Sequence, residues 1–308
     1  IAGADGVEEM EIRSVNTTGT RASWWLAGMT AIAMLAFSGN SLLTRMALQK
    51  TPLDPATFTA VRLATGAATL TLIVYFTGKR PTVSVHGVLS GTLLFIYVAA
   101  FSFAYRGIDT GSGALILFVS AQLMMLGFGY VKGEKTSLFG VALAVTGLFI
   151  FLAPSHSAPP LRYSALMLGA GIAWGAFSLI GRSNGSPIVG TANSFLLALP
   201  LAVVLLWVCR HDLRTSTEGL TYAAISGAVT SGLGYVMWYW VRVRTPAIIA
   251  GTVQLSVPVL SAVLGVFVLG EALPAQSAVA AVVVLLGVML TMRTTRATTK
   301  MSIRRNSR

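Results

Sequence analysis

Of 308 residues, 55% are hydrophobic and only 10% charged, whereas a soluble domain carries about 25% charged residues gathered on its outer faces. That composition excludes a soluble globular domain and identifies a membrane protein. The net charge of +12 would suggest nucleic acid as a partner for a soluble chain, but here it fits basic loops on the cytoplasmic side of a lipid bilayer, with no nucleic acid involved. The single cysteine, Cys209, leaves no internal disulfide framework and no thiolate metal cluster.

In chain order, residues 1–23 come first. They are polar and acidic, with Asp5, Glu8, Glu9 and Glu11, and do not have the basic, then apolar, profile of a cleavable signal peptide. They are predicted to form a disordered cytoplasmic leader. Apolar runs suited to transmembrane helices follow at 24–45, 55–77, 85–105, 111–131, 138–153, 163–181, 188–209, 219–241, 246–269 and 275–292, the fifth being short for a span that needs about 20 residues. Turn chemistry separates them at Lys79-Arg80-Pro81, Ala158-Pro159-Pro160, Asn184-Gly185-Ser186-Pro187 and Thr245-Pro246. A basic tail, 294–308, closes the chain.

With the N-terminus in the cytoplasm, fifteen Lys and Arg fall on inner segments and six on outer ends, Arg62 being left inside the second span. The bias predicts that both termini are cytoplasmic. Six of the fifteen lie in the C-terminal tail region, from Arg293 onward.

Short matches recur at offsets of 136 to 140: Leu89-Ser90-Gly91 with Ile225-Ser226-Gly227, Arg106 with Arg242, Gly133-Glu134 with Gly270-Glu271, and Phe37-Ser38 with Phe177-Ser178. They divide the chain into halves of five spans, 24–153 and 163–293, joined by a linker at 154–162. Because five is odd, the second half enters the membrane upside down. The predicted fold is therefore an all-α membrane protein with ten transmembrane helices in an inverted five-plus-five repeat, an arrangement common among secondary transporters. The stretches GALILFVSAQLMMLGFGYVKGEK (113–135) and VQLSVPVLSAVLGVFVLGEAL (253–273) each bring a half to apolar-Gly-Glu, with one more helix to follow. They resemble the EamA module of the drug/metabolite transporter superfamily, over roughly residues 22–293. The resemblance implies movement of a small metabolite across the bacterial inner membrane. Amino acids or related solutes, moved outward, are what it suggests as cargo.

All ten carboxylates and the three histidines lie in loops or at span edges. An intramembrane Asp, Glu or His is the usual coupling-ion ligand, so a facilitator or exchanger fits at least as well as a proton antiporter. The same distribution argues against metalloprotease or Ser–His hydrolase chemistry, and one chain of unlike helices offers no repeated ring for an ion filter. The chain is read as a carrier, neither enzyme nor channel and without a cofactor. A non-transporting receptor or complex subunit is the alternative.

Polar side chains within the spans are the candidates for solute contact, since each is costly against lipid. Arg62 would bind a carboxylate or phosphate with its planar fork, or else snorkel to the outer interface past the roughly seven residues that separate it from Asp54. Arg45, nearer a span end, is expected to snorkel. Asn40 and Ser41 in the first span answer Trp174 and Ser178 in the sixth, where Gly171 and Gly175 have a GxxxG spacing that serves helix packing equally well. Gln122 and Gln254, in the fourth helix of each half, would form opposite walls of a shared site or bond to neighbouring helices. Tyr97, Phe101, Tyr235 and Trp238 sit on the third helix of each half and either wall the cavity or pack, while Trp24, Trp25, Trp207, Trp238 and Trp240 lie near span ends and suit an interfacial belt. Gln254, Ser256 and Pro258 fall close together. Proline lacks the donor for the carbonyl four residues back, so a break is predicted beside Gln254, confined to the second half because the Gln122 helix has no proline.

Overall fold

The computed structural model describes residues 4–78, 85–131, 137–152, 159–180, 186–242, 244, 253–275 and 278–290, with side chains from Trp24 onward except at 138, 149, 151, 152, 187 and 242. The helices are α1 (Ala4–Lys50), α2 (Pro55–Phe76), α3 (Val85–Ala104), α4 (Thr110–Val131), α5 (Leu138–Leu152), α6 (Leu161–Ile180) and α7 (Pro187–Val208). Then α8 (Thr217–Ile225), a π-helical segment (Ser226–Leu233) and α9 (Gly234–Arg242) follow one another without a break. After them come α10 (Ser256–Leu264), a second π-helical segment (Gly265–Leu269) and α11 (Ala278–Leu290). Among the described residues there is no β-strand.

Six helices are long and apolar enough to cross a membrane: α1 from Trp24, then α2, α3, α4, α6 and α7. They coincide with the first four, the sixth and the seventh predicted spans. The fifth, ninth and tenth runs carry shorter apolar helices. Helical backbone already begins at Ala4, within the stretch read as a disordered leader. Acidic residues near a helix N-terminus complement the positive end of its dipole, an effect the expectation of disorder left out.

The surface is inverted relative to a soluble protein. Trp24, Phe76, Val85, Phe139, Val203 and Phe267 are exposed, whereas Asn40, Ser41, Arg62, Gln122, Ser226 and Ser231 are buried. An apolar exterior around a polar centre is what lipid as solvent selects. Trp24, Trp25 and Trp207 are exposed as a belt requires, but Trp238 is buried, edge-on to Phe37 at 5.9 Å.

Local chemistry sets the ends of the elements. Asp54 accepts from the Thr57 amide at 2.9 Å at the start of α2, where Pro55 takes a position whose amide would be unpaired anyway. Asp54 also accepts from the Arg214 amide at 3.0 Å, tying the α1–α2 turn to the chain entering α8. Gly270 ends the second π-helical segment with φ 67, a left-handed conformation that suits glycine. Buried hydroxyls return to their own helices: Ser38 donates to the Met34 carbonyl, Ser102 to Val98 and Ser120 to Ile116, which satisfies them without water.

In the bundle, α3 packs on α6 and α7, α2 on α7 and the first π-helical segment, α4 on α6 and α10, and α1 on α8, α9, α10 and that same segment. Gly171 and Gly175 seat α6 on α4. A Cβ at Gly171 would lie 2.6 Å from the Ser120 Cβ, and one at Gly175 2.8 Å from the Ala121 carbonyl, so the GxxxG spacing serves close packing.

Candidate functional site: a polar and aromatic cavity inside the bundle

The site is assembled from α1, α2, α3, α4, α6 and the continuous helical path from α8 to α9. Phe37, Asn40, Ser41, Arg62, Tyr97, Phe101, Leu117, Phe118, Trp174, Thr230, Ser231 and Tyr235 surround one cavity of about 20 Å3, room for about one water molecule. Arg62 lies seven residues into α2, about 10 Å along a helix rising 1.5 Å per residue.

Arg62 is 1% exposed. Of the two outcomes open to it, snorkelling is therefore the one the structure overturns, because the guanidinium has partners inside the bundle. Its Nε donates to Ser231 Oγ at 3.1 Å and its Nη2 to Tyr97 Oη at 3.1 Å. Its Nη1 is buried and has no hydrogen-bond partner among the described residues. Phe101 and Tyr97 flank the charge, with ring centroids 5.1 and 5.4 Å from Cζ, within cation–π range.

The π-helical segment explains how α2 meets this path closely enough. Its wider winding shows where the Gly234 amide reaches the Val229 carbonyl, five residues back. A Cβ on Gly227 would collide with Thr65 Oγ1 and the Arg62 carbonyl, so a residue without a side chain lets the two backbones touch. From the same segment, Ser226 and Thr230 both donate to Asn40 Oδ1, at 2.7 and 3.2 Å. One stretch, SGAVTSGL, thus orients the amide on α1 and the guanidinium on α2. π-Turns inside helices are frequent at functional sites.

The aromatic wall is continuous. Trp174 stacks on Tyr235 with centroids 5.4 Å apart and planes 16° from parallel, Tyr97 lies 5.0 Å from Trp174, and Phe37 meets Tyr235 edge-on at 6.0 Å.

Of the residues singled out from sequence, Asn40, Ser41, Arg62, Tyr97, Phe101, Trp174 and Tyr235 surround the cavity, while Gln122, Gln254, Ser178, Ser256 and Trp238 are not in its lining. Gln122 and Gln254 are both buried, but α4 meets the cavity with Leu117 and Phe118 instead, and neither the Gln254 segment nor α10 contributes to its lining. Ser178 donates to the Trp174 carbonyl at 2.8 Å and Ser256 to the Val253 carbonyl at 2.7 Å, so both hydroxyls serve their own backbone. Sequence reasoning did not single out Thr230 and Ser231 or the apolar pair Leu117 and Phe118. The signal for the first two was present, in hydroxyls interleaved with Gly227 and Gly232 in a span otherwise rich in large apolar residues.

The break beside Gln254 is observed. Leu255 interrupts the helix between Gln254 and α10, whereas α4, which carries Gln122, runs on unbroken from Thr110 to Val131. Ser38 of α1 reaches across to the Val257 carbonyl at 3.3 Å, in the first turn of α10.

Toward Lys50 from the cavity, a polar network links α1, the α3–α4 turn and the end of the second π-helical segment. Arg45 Nε donates to Glu271 at 3.0 Å, its Nη1 to the Tyr105 carbonyl at 3.0 Å and its Nη2 to Asp109 at 3.1 Å. The other oxygen of Glu271 accepts from the Thr110 amide at 2.8 Å, at the start of α4. Arg45 therefore does not snorkel, because three acceptors hold it within the protein. Burial pushes the Asp109 carboxyl up from its ordinary value, the Glu271 charge adds to the effect, and Arg45 opposes it. Glu271 is the acid of the second Gly-Glu pair; the first, Gly133-Glu134, lies outside the described residues.

Among the described residues, no group of three or more His, Cys, Asp or Glu is placed to hold a metal ion.

Comparison with known proteins accords with this architecture. An uncharacterised protein of Pseudomonas aeruginosa is 44% identical over 265 residues, covering 85% of this chain and 92% of its own. The threonine/homoserine exporter RhtA of Escherichia coli is 26% identical over 272 residues, covering 81% of this chain and 85% of its own. The uncharacterised transporter YwfM of Bacillus subtilis is 24% identical, covering 84% and 91%. A solved crystal structure superposes with a TM-score of 0.64 over 88% of this chain and 98% of its own, at 17% identity, which shows a shared fold. The EamA-like transporter family matches residues 161–293, and with the long-range relationships the conclusion is that this chain belongs to that family of multi-pass membrane transporters.

Proposed function

We propose that the protein is a secondary transporter that carries a small organic metabolite, an amino acid or related solute, outward across the bacterial inner membrane by alternating access. The observation that carries this reading is the cavity, a polar and aromatic pocket enclosed by helices from both ends of the chain within an apolar bundle. Sites of this kind, concave and mostly apolar with a few placed polar groups, are where small ligands bind. At about 20 Å3 the cavity is smaller than any amino acid, so loading requires the surrounding helices to part on one side, as alternating access demands.

The ten-helix inverted repeat, 24–153 against 163–293, is part of the proposal, and the packing supports it. Exchanging the first half for the second turns the contact of α3 with α6 into that of the α8-to-α9 path with α1. It likewise turns the contact of α4 with α6 into that of α10 with α1. Such exchange is expected of two related halves. With both termini cytoplasmic, the Arg45 network lies at the outer end and the described conformation is shut on that side. The exporter RhtA among the relatives supports amino acids as cargo and outward movement.

The test is counterflow in liposomes containing the purified protein, loaded with single amino acids and challenged with the same labelled amino acid outside. Accumulation of label above protein-free liposomes is expected for at least one of them. A flat response to every amino acid and hydroxylated analogue would overturn the proposed cargo.

A further inference from the structure

The cavity carries a charge that no described residue balances. Among the twelve lining side chains Arg62 alone is ionic, and none is a carboxylate. Its two bonded nitrogens meet neutral hydroxyls, those of Ser231 and Tyr97, and Nη1 meets no acceptor among the described residues. Four described carboxylates are engaged elsewhere. Asp109 and Glu271 hold Arg45, Asp54 caps α2, and Glu218 accepts from Tyr222. Both ion pairs found among the described residues belong to Arg45.

A buried, unpaired cation is costly, and arginine does not escape by shedding its proton as a buried lysine does. The flanking rings of Tyr97 and Phe101 offset part of that cost, but they are neutral and leave the Nη1 donors unused. A purely structural strut between α2, α3 and the π-helical segment would need no charge at all, since a neutral donor could bond both hydroxyls. An anionic acceptor brought by the solute would use both the charge and the free edge, which no described residue does.

We infer that Arg62 is the carboxylate anchor of the solute site: the transported species bears a carboxylate that takes Nη1 as its donor and completes the charge balance of the loaded cavity. This rests on the transport reading above and narrows it by chemical class. A single guanidinium edge matches a monoanion, so a carboxylate fits better than a phosphate, whose second charge would stand uncompensated. Arginine binds carboxylates through parallel donors in its fixed plane. The remainder of the solute would face the stacked Trp174–Tyr235 pair and the Asn40–Thr230 cluster, a surface with both apolar and polar character.

The experiment uses matched pairs, each an amino acid and its own primary amide, with inorganic phosphate as a separate arm. Thermal stability of the purified full chain is read with each compound, and each is then tested as a competitor of counterflow. For wild type, the acids should stabilise and compete while the amides are about ten- to hundredfold weaker, the factor that follows from losing a charge-assisted hydrogen bond. Arg62→Gln should lose affinity for the acids by the same factor and no longer discriminate within pairs, and Arg62→Lys, which keeps a charge without the fork, should discriminate partly.

Amides that match their acids in wild type would overturn the inference while leaving transport intact, and that comparison does not depend on any variant folding. Competition by phosphate without competition by the acids would overturn the carboxylate assignment in favour of a phosphate. Discrimination retained in a folded Arg62→Gln would move the anchor elsewhere and refute the role of Arg62. If no acid or amide binds or moves at all, the transport reading for these solutes fails and takes the inference with it.

Discussion

Glu271 offers a quantitative test of how the bundle is closed. One carboxylate oxygen accepts from Arg45 at 3.0 Å and the other from the Thr110 amide at 2.8 Å, and the Arg45 and Glu271 side chains are 14% and 10% exposed. Glu271→Gln keeps the shape but leaves one oxygen for two donors and turns an NH2 toward one of them. The loss is a charge-assisted hydrogen bond, about 1.5–3 kcal/mol. Arg45 retains the Tyr105 carbonyl and Asp109, which sets the figure near the lower middle of that range, at about 2 kcal/mol. If these bonds exist only while this end is shut, 2 kcal/mol raises the open-to-closed ratio by about 30-fold. Ser41, 1% exposed and in the cavity lining, reports the change. With Cys209→Ser removing the single native thiol, Ser41→Cys would be labelled by a membrane-impermeant maleimide added to the Lys50 side. Adding Glu271→Gln should speed labelling by about 30-fold where opening precedes reaction. A rate changed by less than about twofold, against a predicted shift of that size, would refute the network as the closure.

Gly227, Arg62 and Asp109 each give a further expected outcome. Gly227→Ala places a methyl against Thr65 and the Arg62 carbonyl, so it should destabilise the protein by about 1–3 kcal/mol in a denaturant titration and weaken solute binding, since α2 must retreat. Arg62→Met removes the buried cation in a similar volume; stability should hold or rise by up to about 2 kcal/mol while acid binding is lost, and a fall of that size would mark Arg62 as a strut. The raised Asp109 carboxyl means the native state holds its proton to higher pH than the unfolded chain does. Asp109 therefore lowers stability as pH rises from the ordinary Asp range through the raised value, and Asp109→Asn should remove that slope from a melting-temperature profile.

Hydropathy made the membrane class and most spans legible, because lipid demands long apolar helices whatever the packing. The GxxxG spacing in α6 and the proline beside Gln254 were legible too, since each acts through local backbone chemistry. What could not be read was which face of each helix turns inward. Gln122 and Gln254 looked like paired walls because they occupy related positions, yet α4 turns Leu117 and Phe118 to the cavity, and the Gln254 segment does not border it. Arg45 and Glu271 are 226 residues apart, and no local pattern announces a bond over that distance. Arg62 stood at a depth compatible with snorkelling, and only its neighbours Ser231 and Tyr97, from other helices, decide otherwise.

The π-helical winding at Ser226–Leu233 has a bearing on how this span tolerates change in length. A π-turn holds one residue more than the α-turn it replaces, so the loss of one residue there can be taken up by rewinding, with α8 and α9 keeping their facing. The same deletion in α2, with no such slack, would rotate every later side chain by about 100° and carry Arg62 off Ser231. The segment that shapes the cavity is thus also where the chain can be shortened by one residue and still cross the membrane in register.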